Sequence, residues 1–326
     1  MNASAKFKAF QMALALLAAV TAFECAAQLF PSRPIRFVVP YGAGGGPDVL
    51  SRVIGHQLGE NLRQQVVVDN RPGAGGIIAA ENAMKSPPDG YTLFVADTGH
   101  VAINPAVYKD LPYDPRKDFA PVTLAVSTPL FMAANGQLPI ENLRQFIDYA
   151  KAHPGLSYGS SGNGSPHHLG MELLKQLTGL NLSHVPYKGV AQSVPAVVAG
   201  DVAIVIAALP SLAPHVKAGK IRLIAVGTLK RTPTQPNVPT ADEAGVPGYE
   251  IDADIGFLAP AGTPRDVIAK LHDEIVKVLH TPDVTQRLAT LGIDVLGSTP
   301  EEYAEAIRTK IQKYGKLVRD SGARVD

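Results

Sequence analysis

The sequence predicts an α/β protein of two domains, and three observations predict it. The chain has 326 residues, which suits two domains at roughly 150 residues each. From Pro34 onward, short apolar runs alternate with longer segments of helical period, the pattern of parallel strands joined by crossover helices. The alternation comes in two series, the second opening on an apolar, β-prone stretch at residues 121–134.

In the first series, residues 35–39 read as a buried strand and 47–62 as a helix, with Val49, Leu50, Val53, Ile54 and Leu58 on one face. A strand at 65–70, a helix at 76–85 and a strand at 92–96 complete a βαβαβ unit, which implies a parallel sheet. The second series holds a helix at 143–152, a strand at 157–158, a helix around 168–178, a strand at 182–185 and a helix at 190–199. Strands at 202–207 and 221–226 follow, with a short helix near 212–218 between them and a polar, Pro-rich connection at 228–244 beyond. The last third starts with a strand at 250–257 and ends in three helices, each opening on Thr-Pro at 263, 281 and 299. Threonine as N-cap with proline next is a start signal, because proline lacks an N–H that the helix would leave unpaired. Asp266 and Glu302 stand where they complete capping boxes.

Composition narrows the function. The chain is 46% hydrophobic and 18% charged, with a net charge of +1. It is too apolar for disorder and has no clustered basic excess with which to neutralise nucleic-acid phosphates. Lys6 and Lys8 precede a short apolar run ending at Phe23, and then Cys25-Ala26-Ala27 places small residues before a cleavage point. That is the layout of an export signal over residues 1–27, too short for a membrane-spanning helix. A rival reading makes Cys25 a lipidated terminus, but Phe23 and Glu24 stand where that processing wants a small residue. Cleavage after Ala27 removes Lys6, Lys8, Glu24 and the chain's only cysteine. The exported protein would then have no disulfide, thiol nucleophile or thiolate-bound metal.

The most informative segment is Pro40-Tyr41-Gly42-Ala43-Gly44-Gly45-Gly46-Pro47-Asp48, between the first strand and the first helix. It is not a dinucleotide fingerprint, since Pro47 stands where the third glycine of G-x-G-x-x-G belongs. Its glycines still expose main-chain N–H at a helix start, with Gly46 as N-cap and Pro47 as the first helical residue, and that is an anion site. A plain strand–helix turn is the bland alternative. Residues 69–76 form a similar loop after the second strand, and Ala96-Asp97-Thr98-Gly99-His100 follows the third. In a parallel sheet these loops share the carboxyl edge, where open α/β sheets bind ligands. The second series offers Ser160, Ser161, Gly162 and Ser165 in one loop, and Ala207-Ala208 after a strand.

Catalytic patterns are poor. Gly159-Ser160-Ser161-Gly162-Asn163 fails the nucleophile elbow G-x-S-x-G at its last position. His167-His168 are adjacent and point different ways on a helix, so a single pocket-facing histidine fits better than a metal pair. The expectation is no enzyme, no metal and no cofactor.

Five ordered motifs carry a resemblance: residues 39–48, residues 70–76, Pro88-Asp89-Gly90-Tyr91-Thr92-Leu93, Val185-Pro186-Tyr187-Lys188-Gly189 and Ala259-Pro260-Ala261-Gly262-Thr263-Pro264. With the export signal they resemble the Bordetella-uptake-gene (Bug) type periplasmic solute receptors, the substrate-binding subunits of tripartite tricarboxylate transporters. The resemblance implies a two-lobed, type II-like periplasmic binding protein with its ligand in the inter-lobe cleft. The ligand would be a small carboxylate: a dicarboxylate, an amino acid or an aromatic acid. Val190 follows Gly189 where the family often has a second glycine, and Ile255-Gly256-Phe257 replaces a common aromatic position.

Carried over by position, Tyr41, Ala43, Gly44, Gly45, Asp48, Ala96, Asp97, Thr98 and Gly99 face the ligand from the first lobe. Ser160, Ser161, Gly162, Ser165, Ala207 and Ala208 face it from the second, and His167 joins them as the pocket-facing histidine read from the residues themselves. The first lobe is expected at residues 33–124 plus 251–326 and the second at 125–250, with hinge strands at 121–134 and 250–257. The implied protein is a periplasmic monomer that hands its carboxylate to integral-membrane permease subunits. Two rivals stay open, a ligand sensor for a signalling partner and a periplasmic hydrolase.

Overall fold

The computed structural model describes residues 30–43 and 46–322. The expected export signal, Cys25, Gly44 and Gly45 lie outside the described residues. In chain order come β1 (Ile35–Val39), α1 (Gly46–Leu62), β2 (Val66–Asn70), α2 (Ile77–Met84) and β3 (Thr92–Asp97). A π-helical turn, Gly99–Ile103, runs into the short α3 (Asn104–Val107) and then β4 (Phe119–Ser127). The next group is β5 (Leu130–Asn135), α4 (Leu143–Ala152), β6 (Leu156–Ser160), α5 (Pro166–Thr178), β7 (Leu182–Pro186), α6 (Val190–Ala199), β8 (Ile204–Ala208), α7 (Leu209–Lys217) and β9 (Ile221–Val226). The chain ends with β10 (Ile255–Pro260), α8 (Arg265–Leu279), α9 (Pro282–Thr290), β11 (Asp294–Val295) and α10 (Pro300–Ser321).

These strands make two sheets, ordered β11-β4-β10-β3-β1-β2 and β7-β6-β8-β5-β9. β1 pairs in parallel with β2 and β3, as the βαβαβ reading required, and β6 pairs in parallel with β7 and β8. The carboxyl ends of β1, β2 and β3 therefore share one edge, and those of β6, β7 and β8 share another. Helix α1 buries Leu50, Val53, Ile54 and Leu58, the face its period predicted, against Ile35, Phe37 and Val39 of β1. It begins at Gly46, one residue before the predicted start.

The chain crosses between the sheets twice. The stretch at 121–134 is not one strand: β4 stays in the first sheet, β5 lies in the second, and the break falls at Thr128-Pro129, where proline has no N–H to continue a ladder. The strand expected at 250–257 begins only at Ile255. Residues 250–254 make no continuous ladder, because their main-chain bonds go to scattered partners. Ile251 N–H donates to Gly227, Ala253 N–H to Thr128, and the Asp254 carbonyl accepts from Thr98.

The C-terminal helix joins the two halves. α10 packs on β4 and the 99–107 turn on one side and on α5 on the other. One continuous core therefore runs from Phe94, Tyr303 and Tyr314 to Met132, Leu169 and Tyr249. Of the three Thr-Pro starts, only Thr299 caps its helix. Its hydroxyl accepts from Glu302 N–H at 3.2 Å, while the Glu302 carboxylate accepts from Thr299 N–H at 2.8 Å. Thr263 and Thr281 instead donate backward to the carbonyls of Pro260 and Val278, so the box expected with Asp266 does not form.

Candidate functional site

Three loops meet at the carboxyl edge of the first sheet, and His100 sits at their centre. Its Nδ1 lies 2.7 Å from Asp97 Oδ1, and its ring meets those of Tyr41 and Phe94 edge-on. Gly76, with φ near 85°, lies so close that a Cβ there would fall 2.1 Å from the His100 ring. The His100 carbonyl accepts from Tyr113, whose hydroxyl oxygen takes an N–H from Asn104, and Asn104 also bonds the Gly75 carbonyl at 2.9 Å. The loop after β2 is thereby fixed to the loop after β3.

Asp97 joins the third loop. Its Oδ2 accepts from the Tyr41 hydroxyl at 2.6 Å, and its Oδ1 accepts from Gly99 N–H at 2.8 Å. Burial alone would raise its pKa, but the His100 imidazole, the Tyr41 hydroxyl and the Gly99 N–H outweigh burial and hold it below the ordinary value. The same environment, burial first and Asp97 second, raises Tyr41 well above a normal phenol. Tyr41 keeps its ring partly exposed, at 38%, with its hydroxyl turned inward.

Asp48, in the first turn of α1, is buried and paired with Arg52 at 2.9 Å. Asn70 Nδ2 donates both to Asp48 at 2.8 Å and to the Tyr41 carbonyl at 2.9 Å, which pins the loop after β1. Arg71 donates to Asp69 at 2.8 Å. Both acidic loop residues are thus matched by local cations. Ala43 is exposed and Ala96 is buried inside β3.

The facing loop of the second lobe is also tied internally. Ser160 is fully buried and its Oγ bonds His184 Nε2 at 2.6 Å. Ser165 caps α5 by accepting from His168 N–H and donates to the Gly162 carbonyl at 2.7 Å. His168 stacks on His184 with ring centres 4.0 Å apart, and Tyr158 stacks on His184 at 4.9 Å. Burial lowers both histidines, His184 to about 4. His167 points away from this stack. Its Nδ1 bonds Ser161 Oγ at 2.6 Å, and burial depresses it to about 4 against the opposing pull of the Asp97 carboxylate in the other lobe. Ala207 is buried in β8, and Ala208 precedes α7, whose start has no side-chain cap.

The two edges face each other. Asp97 acts electrostatically on His167 across them, and Gly292 lies against Leu209. Five helix starts, those of α1, α2, α5, α6 and α7, follow strands at these carboxyl edges. Such starts present unpaired N–H groups and the positive end of the helix dipole. Asn70 and His100 stand in loops the sequence singled out, but their roles could not be read there, because each acts on a neighbouring loop, Asn70 by donating to Asp48 and the Tyr41 carbonyl and His100 by its ring contacts with Tyr41 and Gly76. Among the described residues no hydrogen bond or ion pair joins His167 to a carboxylate, and no group of three or more His, Asp or Glu could hold a metal. No helix among them is long and apolar enough to cross a membrane.

The family model described as "Tripartite tricarboxylate transporter family receptor" matches residues 50–323. A protein of Pseudomonas sp. strain P51, named from the tcbD-tcbE intergenic region, is 39% identical over 291 residues, covering 89% of this chain and 86% of its own. Protein BugT of Bordetella pertussis is 33% identical over 301 residues, 92% of each chain. Among solved structures, R. palustris Rpa4515 with adipate superposes with a TM-score of 0.82 at 36% identity, over 91% of this chain and 100% of that one. MatC of Rhodopseudomonas palustris with bound malate gives 0.77 at 33% identity, over 89% and 100%. The periplasmic binding protein BugD gives 0.78 at 32% identity, over 90% and 99%.

Proposed function

The chain belongs to the receptor family of tripartite tricarboxylate transporters, and from that premise we propose that it captures a small carboxylate in the cleft between its lobes and delivers it to a membrane permease. One observation supports the reading: the loops after β1, β2 and β3 and those after β6, β7 and β8 lie at the carboxyl edges of the two sheets, and Asp48, Asp69 and Asp97 of the first-lobe loops are already engaged by neighbouring side chains. What is offered to an anion is main-chain N–H, the helix dipoles, a few small hydroxyls and the exposed Lys188 before α6. Adipate and malate, bound by two relatives, are dicarboxylates and narrow the class. The contacts would come from residues 41–48 and 96–99 on one lobe and 160–167 and 207–208 on the other.

The energetics are adequate. A hydrogen bond to a charged group contributes about 1.5–3 kcal/mol, and a helix terminus roughly 0.3–1 more. Three or four such contacts, less ordering costs, reach the roughly −8 kcal/mol of micromolar binding. Export to the periplasm and a monomeric state complete the proposal. The experiment is a thermal-shift screen of carboxylic acids that includes adipate and malate, followed by calorimetry. A ligand at 100 times its Kd should stabilise by about 2.7 kcal/mol. No shift across the panel, or turnover of an ester or amide by the purified protein, would overturn the reading.

A further inference from the structure

Lys310 projects from the middle of α10 into a buried acidic pair. Its Nζ donates to Asp252 Oδ1 at 2.6 Å and to Asp254 Oδ2 at 2.8 Å, with 17% of its side chain exposed. Both carboxylates lie on residues 250–254, the second crossing between the lobes. Asp252 Oδ1 also accepts from the Thr98 hydroxyl at 3.0 Å, and the Asp254 carbonyl accepts from Thr98 N–H at 3.0 Å. Both polar donors of Thr98 are therefore held by the crossing segment. Thr98 sits between Asp97 and Gly99, at the centre of the first-lobe loop assigned to the ligand. Helix α10 packs on the turn that follows this loop and on α5, whose start carries the second-lobe loop; Gln176 of α5 also donates to Asp320 of α10 at 2.9 Å.

We infer that Lys310 is a positioning residue for ligand capture: through Asp252 it fixes Thr98, and so anchors the 97–100 loop to the segment crossing between the lobes. Two buried carboxylates cannot share a site without a cation, and removing that cation leaves a charge uncompensated. Burial and the neighbouring Asp252 push Asp254 up, whereas Lys310 and Thr98 hold Asp252 down against its own burial. Asp252, the group that receives Thr98, is thus held in its charged form. Loss of Lys310 would favour proton uptake by the pair and free Thr98 from its acceptor. The consequence for ligand rests on the carboxylate reading above; the anchoring of the loop does not.

The test uses the full chain with Lys310→Met, Thr98→Val, the double variant and Lys310→Arg. In the ligand-free protein, Lys310→Met and Thr98→Val should each speed amide exchange at residues 98–100 by roughly tenfold or more relative to residues 160–165. Each should weaken adipate binding by roughly tenfold, and the double variant should be no worse than either, because both break one chain of contacts. Lys310→Arg, which keeps a cation between the carboxylates, should restore most of the protection. If Lys310→Met does not fold, Thr98→Val leaves the ion cluster intact and carries both readouts. Unchanged exchange at 98–100 in Thr98→Val, or fully additive losses in the double variant, overturns the inference. A wild type that binds no carboxylate defeats the functional reading instead, and the exchange measurement still decides the role of Lys310.

Discussion

The Tyr41 hydroxyl donates to Asp97 Oδ2 at 2.6 Å, and this bond ties the loop after β1 to the loop after β3. Asp97 is buried, yet the His100 imidazole, the Tyr41 hydroxyl and the Gly99 N–H surround it, so it stays ionised where an isolated carboxyl would take up a proton. It braces the cleft and does not stand free in it.

Asp97 should make stability acid-labile in a defined window. Its folded pKa lies below the unfolded value of about 3.9, so its contribution is complete above that value and is lost as pH falls through the folded value. Asp97→Asn removes it. The stability difference between wild type and variant, measured by urea unfolding, should be largest near neutrality and shrink below about pH 4. A difference that persists undiminished to about pH 3 would contradict an ionised brace.

Tyr41→Phe deletes the same bond from the other side. The expected cost is about 1.5–3 kcal/mol, the range for a hydrogen bond to a charged group. In an Asp97→Asn background the cost should drop well below that, since the partner is no longer charged. Equal costs in the two backgrounds would show that Tyr41 acts by packing alone.

The second lobe has its own acid sensitivity, of histidine origin. His184 is depressed to about 4, chiefly by burial and then by the stacked His168, with Glu172 pulling the other way and Lys175 adding to the depression. A histidine with a lowered folded pKa contributes stability above its unfolded value of about 6.5 and loses it as pH falls towards the folded one. His184 also bonds Ser160, which couples the ring to the 160–165 loop. His184→Gln should flatten the pH dependence of stability between about pH 6.5 and 4. An unaltered profile would exclude this ring as the source.

Arg71 and Ser161 test whether side chains recognise the ligand. Arg71 is engaged by Asp69, so Arg71→Ala should change carboxylate affinity by no more than about threefold. Ser161→Ala frees His167 Nδ1 and should cost about one hydrogen bond, on the order of 1 kcal/mol. Abolition of binding by Arg71→Ala in a folded protein would put a guanidinium at the centre of recognition.

What was legible in the sequence follows from the range of the forces involved. The βαβαβ unit could be read because Leu50, Val53, Ile54 and Leu58 repeat at helical spacing beside a Val-rich strand, and both signals are local. The start of β10 could not, because the main-chain partners of Ile251, Ala253 and Asp254 lie at Gly227, Thr128 and Thr98, far away in sequence. Thr263-Pro264 and Thr299-Pro300 are indistinguishable as start signals. Only the structure shows Thr263 turned back to Pro260 by the tight turn at the end of β10. The site divides the same way: loops at strand ends were visible, whereas the bonds of Asn70 to Asp48 and of Tyr41 to Asp97 depend on how those loops pack.

Gly76 makes that packing testable. It holds φ near 85° as the residue before α2, a conformation in which any side chain is strained by about 1 kcal/mol. Its Cβ position also falls 2.1 Å from His100 Cδ2, a distance no real contact tolerates, and 3.1 Å from Pro40, which is merely tight. Gly76→Ala must therefore push the imidazole away from Asp97, adding overpacking of about 1–3 kcal/mol and loss of the Asp97 contact. The two contributions separate in a cycle. With His100 already replaced by Ala, the ring is gone and only the backbone strain and the milder Pro40 contact should remain, so the cost of Gly76→Ala should fall to about 1 kcal/mol. Denaturant unfolding of the two single variants and the double variant measures both values. An unchanged cost in the His100→Ala background would mean that the loops after β2 and β3 are not held together through His100.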